Sequence, residues 1–311
     1  MNPRKLLVGI DFSPLSEVAL AHAMRIAARH QAEIILAHAG TVVDPTETAL
    51  APESAALAEY RRILNDHQAD SRSRLTALAR DVTAHGLRAS ELLLDGFADS
   101  ALVDGAEKVD ADLVVLGTHG RTGLERLLLG GVAERVVRLC RRHVLVTRKL
   151  PDGQEGFRRA LVATDFTPLA ERALDAALAL VEPGGTVELV HAWHLPAFSG
   201  SLVPSPVSDA ALEPVKTSVE QGAREKLDAL LAGRAAQAAA AQVVTQVSIV
   251  NEPPSRAITA RAEEGKHDLV VMGGHGRRGL RRWILGSVAE ATVRHAPCSV
   301  LVIHEPPPAE A

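Results

Sequence analysis

Short apolar, β-branched runs alternate along this chain with longer stretches whose apolar residues recur every three or four positions. That alternation is the pattern of a parallel sheet covered by helices. In the first half it predicts strands at Lys5–Ile10, Glu33–Ala39, Ala89–Leu94, Asp112–Leu116 and His143–Thr147. In the second half it predicts them at Arg159–Thr164, Thr186–Ala192, Gln242–Val250, Leu269–Met272 and Ser299–Ile303. Helices fill the intervals; the clearest starts are Ser13-Pro14 and Thr167-Pro168, each a capping hydroxyl followed by proline at the first helical position. The runs DLVVLG (112–117) and DLVVMG (268–273) are apolar almost without a break, as strands buried on both faces are. The expected fold class is α/β: two tandem doubly wound domains, each with a five-stranded parallel sheet and helices on both faces.

The two halves repeat each other. LLVGIDFSPLSEVAL (6–20) matches ALVATDFTPLAERAL (160–174) at an offset of 154 residues, and DLVVLGTHGRTGLERLLLGGVAERVVR (112–138) matches DLVVMGGHGRRGLRRWILGSVAEATVR (268–294) at 156. Offsets that agree this closely over most of a domain indicate a tandem duplication. Residues 150–156, with one Pro and two Gly, read as a linker, which gives domains at 1–149 and 157–304. The tail 305–311, with three prolines, is expected to be disordered. Two segments depart from the repeat, Gly40–Ser54 and the proline-rich Leu195–Pro214; both are expected as loops after the second strand, either covering a ligand or decorating the surface.

Composition narrows the function classes. With 47% hydrophobic and 23% charged residues in 311, the chain has the balance of an ordinary globular protein. A net charge of −4 gives no overall attraction to nucleic acid or anionic lipid, and five Phe, two Trp and one Tyr leave no stacking platform for single strands. No apolar run approaches the ~18 residues of a membrane span, and Asp11 interrupts the N-terminus before a signal sequence develops, so a soluble, cytoplasmic protein is expected. Cys140 and Cys298 lie in different halves and read as buried small apolar side chains.

In a doubly wound sheet ligands bind beyond the carboxyl ends of the strands, and the glycines cluster there. In the second half Gly273 ends the fourth strand, Gly276 follows, and Gly286-Ser287 precedes an amphipathic run. A strand-end glycine admits a ligand to the backbone, and Ser287 as N-cap would aim its hydroxyl and the free N–H groups of a helix start at an anion. Asp165 ends the first strand opposite; it either accepts from a base or ribose group or caps the first helix. Neither half carries GxxxxGK[ST], and His119 and His275 are the only repeated bases near these loops, so no catalytic residue is assigned. His191 and His194 lack further ligands at metal spacing, and no metal site is assigned.

The chain resembles a tandem universal stress protein. The nucleotide signature of that family, G-x2-G-x9-G-[ST], is matched in full by Gly273, Gly276, Gly286 and Ser287, and the resemblance extends through VATDFTP, VGIDFSP, LVHAW and LAHAG. It implies that Asp165 and Ala192 flank adenine, that Gly273 approaches ribose, and that Gly276, Gly286, Ser287 and Val288 hold phosphates, with Ala163, Met272 and Arg277 beside them. The first half offers Gly9, Asp11, Ala39, Leu116, Gly117, Gly120, Gly130, Gly131 and Val132, but Gly131 replaces the serine. Losing a hydroxyl contact to phosphate costs ~1.5–3 kcal/mol, so the first half is expected to be the weaker site or empty. The implied function is an ATP-binding stress-response regulator, with or without Mg, whose state a protein partner reads. The alternatives are slow ATP hydrolysis or adenylate transfer, and a nucleotide-free scaffold. The resemblance also implies that the halves pair through their fifth strands as a pseudo-dimer, with further dimerisation open.

Overall fold

A computed structural model describes residues 1–40, 55–118, 129–194, 209–275 and 285–305, without the side chains of 209–211. The chain forms two compact units, built mainly on Asn2–Glu155 and on Gly156–Ile303. The first contains β1 (Lys5–Gly9), α1 (Pro14–His30), β2 (Glu33–Gly40), α2 (Ala55–Ala84), β3 (Arg88–Asp95), α3 (Ala98–Lys108), β4 (Leu113–Gly117), α4 (Gly131–Leu139) and β5 (His143–Thr147). The second contains β6 (Arg159–Ala163), α5 (Pro168–Leu180), β7 (Thr186–Trp193), α6 (Asp209–Ala232), α7 (Ala235–Ala240), β8 (Val244–Asn251), α8 (Pro254–Glu264), β9 (Leu269–Gly273), α9 (Ser287–His295) and β10 (Ser299–Ile303).

Each unit is a doubly wound α/β domain with a parallel sheet, of strand order β3-β2-β1-β4-β5 in the first and β8-β7-β6-β9-β10 in the second. The apolar runs form the sheet interiors: Leu6, Leu7, Leu113, Val114, Leu161 and Val270 are fully buried. A carboxylate locks the strand starts in both units. Asp112 accepts from the backbone N–H groups of Arg4 and Lys5 at 2.7 and 2.9 Å, and Asp268 from those of Arg158 and Arg159 at 2.8 and 3.1 Å. Ser13 and Thr167 are N-caps, their hydroxyl oxygens accepting from the N–H groups of Ser16 and Ala170, with Pro14 and Pro168 next in the helix.

The departures concern the segments after the second strands. Gly40 belongs to β2, and Pro214 lies inside α6, so the carboxyl end of the expected second loop is helical. Pro214 removes one backbone bond, and the burial of Ala223 and Leu227 further along α6 outweighs that loss. The remainder of both expected loops, and the tail after Glu305, lie outside the described residues. In α2 the buried side chains, Leu75, Ala79 and Val82, all fall in the C-terminal part.

The units differ in one buried cluster. On β7 the carboxylate of Glu188 accepts from Arg261 Nε at 2.7 Å and lies 3.2 Å from His267 Nε2, with both Glu188 and His267 buried. Burial alone would push this carboxyl up, but His267 and Arg261 beside it hold it at about 2. The matching positions of the first unit are Ile35, Ala111 and Gly105, an apolar set. Burial holds the Cys140 thiol at about 11, and Cys298 is buried too. Among the described residues no helix is long and apolar enough to cross a membrane.

Candidate functional site

In both sheets the strand order reverses beside the first strand of the unit, between β1 and β4 and between β6 and β9. A crevice opens at such a switch point because the connections leave in opposite directions. In the first unit it is a cavity of about 220 Å³. Gly9, Asp11, Ala39, Leu116, Gly117, Gly130, Gly131 and Val132 all line it, so the structure brings together every site residue expected in this half except Gly120, which lies outside the described residues. Asp11 is the only formally charged side chain among the described lining residues.

The carboxylate is positioned by the turn that leaves β1. Asp11 Oδ1 accepts from the backbone N–H of Ser13 at 3.0 Å and from its hydroxyl at 2.6 Å. Phe12, between them, has φ 62°, a left-handed conformation that a bulky residue adopts only when its surroundings enforce it. The Phe12 ring packs on His38 at 4.7 Å between centroids, and the Arg74 guanidinium from α2 covers it at 4.0 Å. His38 Nδ1 donates to the Ile10 carbonyl at 2.7 Å.

The second unit repeats this frame. Asp165 Oδ1 accepts from the Thr167 N–H and hydroxyl at 3.1 and 2.6 Å, and Phe166 has φ 65°. Its ring meets His191 at 4.5 Å and Lys226 Nζ lies 5.4 Å from its centroid, while His191 Nδ1 donates to the Thr164 carbonyl at 2.8 Å. The capping reading of Asp165 is thereby corrected: Thr167 caps the helix, and the Asp165 carboxylate orients that capping residue. Ala163 ends β6 beside Met272 of β9, Ala192 lies in the last turn of side chains along β7, and Gly273 ends β9. Gly276 and Arg277, like Arg121 and His119, lie outside the described residues.

The glycine segments end in matching clamps. Gly130 N–H donates to the Thr118 carbonyl at 2.7 Å, and Gly286 N–H to the Gly274 carbonyl at 2.7 Å. Each glycine is the N-cap of the helix that follows, α4 or α9, with extended φ and ψ of −67° and 142° or −68° and 147°. This corrects the expectation for Ser287, which is the first helical residue rather than the cap. Gly286 takes the cap because its carbonyl accepts from Glu290 N–H at 2.9 Å, leaving Ser287 exposed. The first N–H groups of both helices have no partner within the helix, and the helix dipole adds positive potential there.

The strand-end glycines also meet a packing constraint that the sequence did not reveal. A Cβ on Gly117 would meet the Leu15 carbonyl oxygen at 2.8 Å, and one on Gly273 would meet Leu169 at 3.2 Å. They admit the start of α1 or α5 against the strand end, whereas a Cβ on Gly131 would meet nothing within 4 Å. Sequence reasoning missed Ala98 and Leu102, which α3 contributes to the cavity wall. In sequence they read as ordinary apolar helix positions, with no polar signal to mark them.

Comparison with known proteins adds identity to this geometry. The model of the Universal stress protein family matches twice, at residues 2–148 and 156–304. Universal stress protein MJ0531 of Methanocaldococcus jannaschii is 34% identical over 146 residues, 47% of this chain and 82% of that protein. A universal stress protein of Mycolicibacterium smegmatis is 27% identical over 301 residues, 96% of each chain. A crystal structure of a universal stress protein from Archaeoglobus fulgidus superposes with a TM-score of 0.64 at 20% identity, covering 98% of this chain and 97% of that one.

Proposed function

Because the chain belongs to the universal stress protein family through both of its halves, we propose that it is an ATP-binding regulatory protein of the stress response. The nucleotide is held mainly by the second half, and a protein partner reads the occupied state. The observation that carries this reading is the frame shared by the two units: a carboxylate fixed after the first strand and a glycine-capped helix start, which in the first unit line one cavity at the switch point. A carboxylate accepts from a ribose hydroxyl or an amino group, and a helix start attracts phosphate, so the pair discriminates the two ends of a nucleotide.

In this reading Asp165, Ala163 and Ala192 meet the base and sugar, with Met272 and Gly273 beneath them. Gly276, Arg277, Gly286, Ser287 and Val288 meet the phosphates, and Mg accompanies ATP by neutralising part of its charge. The exposed Ser287 hydroxyl, unused by the fold, adds a donor that Gly131 lacks. Binding without turnover follows from the missing GxxxxGK[ST] lysine, which elsewhere neutralises charge on a transferred phosphoryl group. The cytoplasm, where ATP is abundant, is the compartment this function requires.

The test is to denature the purified protein, identify released nucleotide by mass and count it per chain, beside the Ser287→Ala variant. One ATP per chain, lost in the variant, supports the reading. No nucleotide, and no binding at millimolar ATP, overturns it.

A further inference from the structure

Resting on that reading of the clefts, we propose that the cavity of the first unit takes an uncharged adenine nucleoside, such as adenosine, while the triphosphate goes to the second unit. Its about 220 Å³ is small beside the ~300–1,000 Å³ of sites for larger ligands. Asp11, the only formally charged group among its described lining residues, accepts from hydroxyl and amino groups, and no Lys or Arg among those residues is there to hold phosphate. At Gly131 there is neither a hydroxyl to donate nor a side chain to fill the space.

Two exposed apolar side chains belong to a lining residue or to its neighbour in sequence. Phe97, one residue before the lining Ala98, is 84% exposed, and the lining Val132 is 42% exposed. Gly96, at φ 105°, precedes Phe97 in a conformation that a larger residue rarely adopts, so the ring is carried on a tight turn at the end of β3. Phe97 is the N-cap position of α3 and makes no cap bond; in the second unit Pro253 holds the matching position and has no aromatic face. An exposed phenyl one residue from a lining position gains by covering a flat ring. The sequences that join the clamped ends differ in the same sense: Arg121 and Arg126 against Glu125 in the first half, and Arg277, Arg278, Arg281 and Arg282 in the second. Positive charge, which a triphosphate needs, is thus denser in the second of these two short sequences.

Methyl NMR of the full chain, with Val132 and Val288 as reporters, separates the two sites during titration with adenosine, AMP and ATP. The expected result is that adenosine shifts the Val132 signals and that affinity there does not rise with phosphate number, whereas at Val288 it rises from adenosine to ATP. Phe97→Ala, at an exposed position, is expected to weaken adenosine about tenfold at Val132 and to leave ATP binding at Val288 unchanged. Tighter binding of ATP than adenosine at Val132, an adenosine response that Phe97→Ala leaves intact, or silence at Val132 while Val288 responds to ATP, would each overturn the inference alone. Silence of both reporters towards all three ligands would overturn the nucleotide reading itself.

Discussion

Asp165 Oδ1 lies 2.6 Å from the hydroxyl of Thr167, the residue that caps α5, and Asp11 stands in the same relation to Ser13 at the start of α1. The carboxylate proposed to meet the base is thus held by the start of a buried helix. Its orientation is fixed before any ligand arrives, which lowers the ordering cost of binding.

Two substitutions separate the roles of Asp165. Asp165→Asn retains an acceptor for Thr167, so stability to urea is expected to change by under about 0.5 kcal/mol while ATP affinity falls. Asp165→Ala removes the acceptor as well and is expected to cost about 1 kcal/mol of stability besides. Equal losses of stability in both variants would show that the charge, not the turn, is what the fold uses.

The serine and glycine at the helix starts are expected to be exchangeable without structural penalty. Ser287→Ala is expected to leave the melting curve unchanged, because Ser287 is exposed and Gly286 holds the cap, and to weaken ATP about ten- to a hundredfold at the second site. Gly131→Ser places its Cβ where nothing lies within 4 Å and is expected to raise ATP affinity at the first site. Calorimetry on the two variants checks both directions.

Gly117 is expected to behave oppositely to Gly131. Gly117→Ala drives a methyl against the Leu15 backbone, forcing the strand end and α1 apart at a cost of ~1–3 kcal/mol. Gly131→Ala is expected to be neutral or slightly stabilising, since alanine suits a helix better than glycine. Chemical denaturation of the pair decides whether packing or ligand access requires the strand-end glycine.

The Glu188 cluster predicts an acid limb in the stability curve. The folded carboxyl titrates at about 2 against an ordinary 4.5, so its stabilisation is complete above the ordinary value and is lost as pH falls towards about 2. The shift corresponds to on the order of 3 kcal/mol. Glu188→Gln should flatten that limb and destabilise the second unit at neutral pH. Replacing the whole cluster with apolar residues, Glu188→Ile with Arg261→Leu and His267→Ala, should cost far less, because no charge is then left buried alone. Denaturant titrations from pH 7 to 2 provide the measurement.

The elements written into neighbouring residues were legible before the fold was known. Ser13-Pro14 and Thr167-Pro168 start their helices, and the DLVV runs form the central strands. Pro214 misled because proline marks loops locally, whereas burial of Ala223 and Leu227, later in the same helix, decides its state. At the site, spacing revealed the glycines and carboxylates but not what packs against them: the neighbour that crowds Gly117 is Leu15, in a distant part of the chain. The cations over Phe12 and Phe166 and the bonds of Glu188 to Arg261 and His267 were hidden in the same way, each joining residues far apart in the chain.

The clamps Gly130–Thr118 and Gly286–Gly274 have one length, 2.7 Å, and each encloses eleven residues, 119–129 and 275–285. Inserts of equal length thus lie between matching anchor bonds, and a chimera that carries the second insert in the first position, or the reverse, keeps both anchor points. The duplication therefore furnishes its own control: a ligand preference that travels with the insert belongs to those eleven residues, and one that stays behind belongs to the framework.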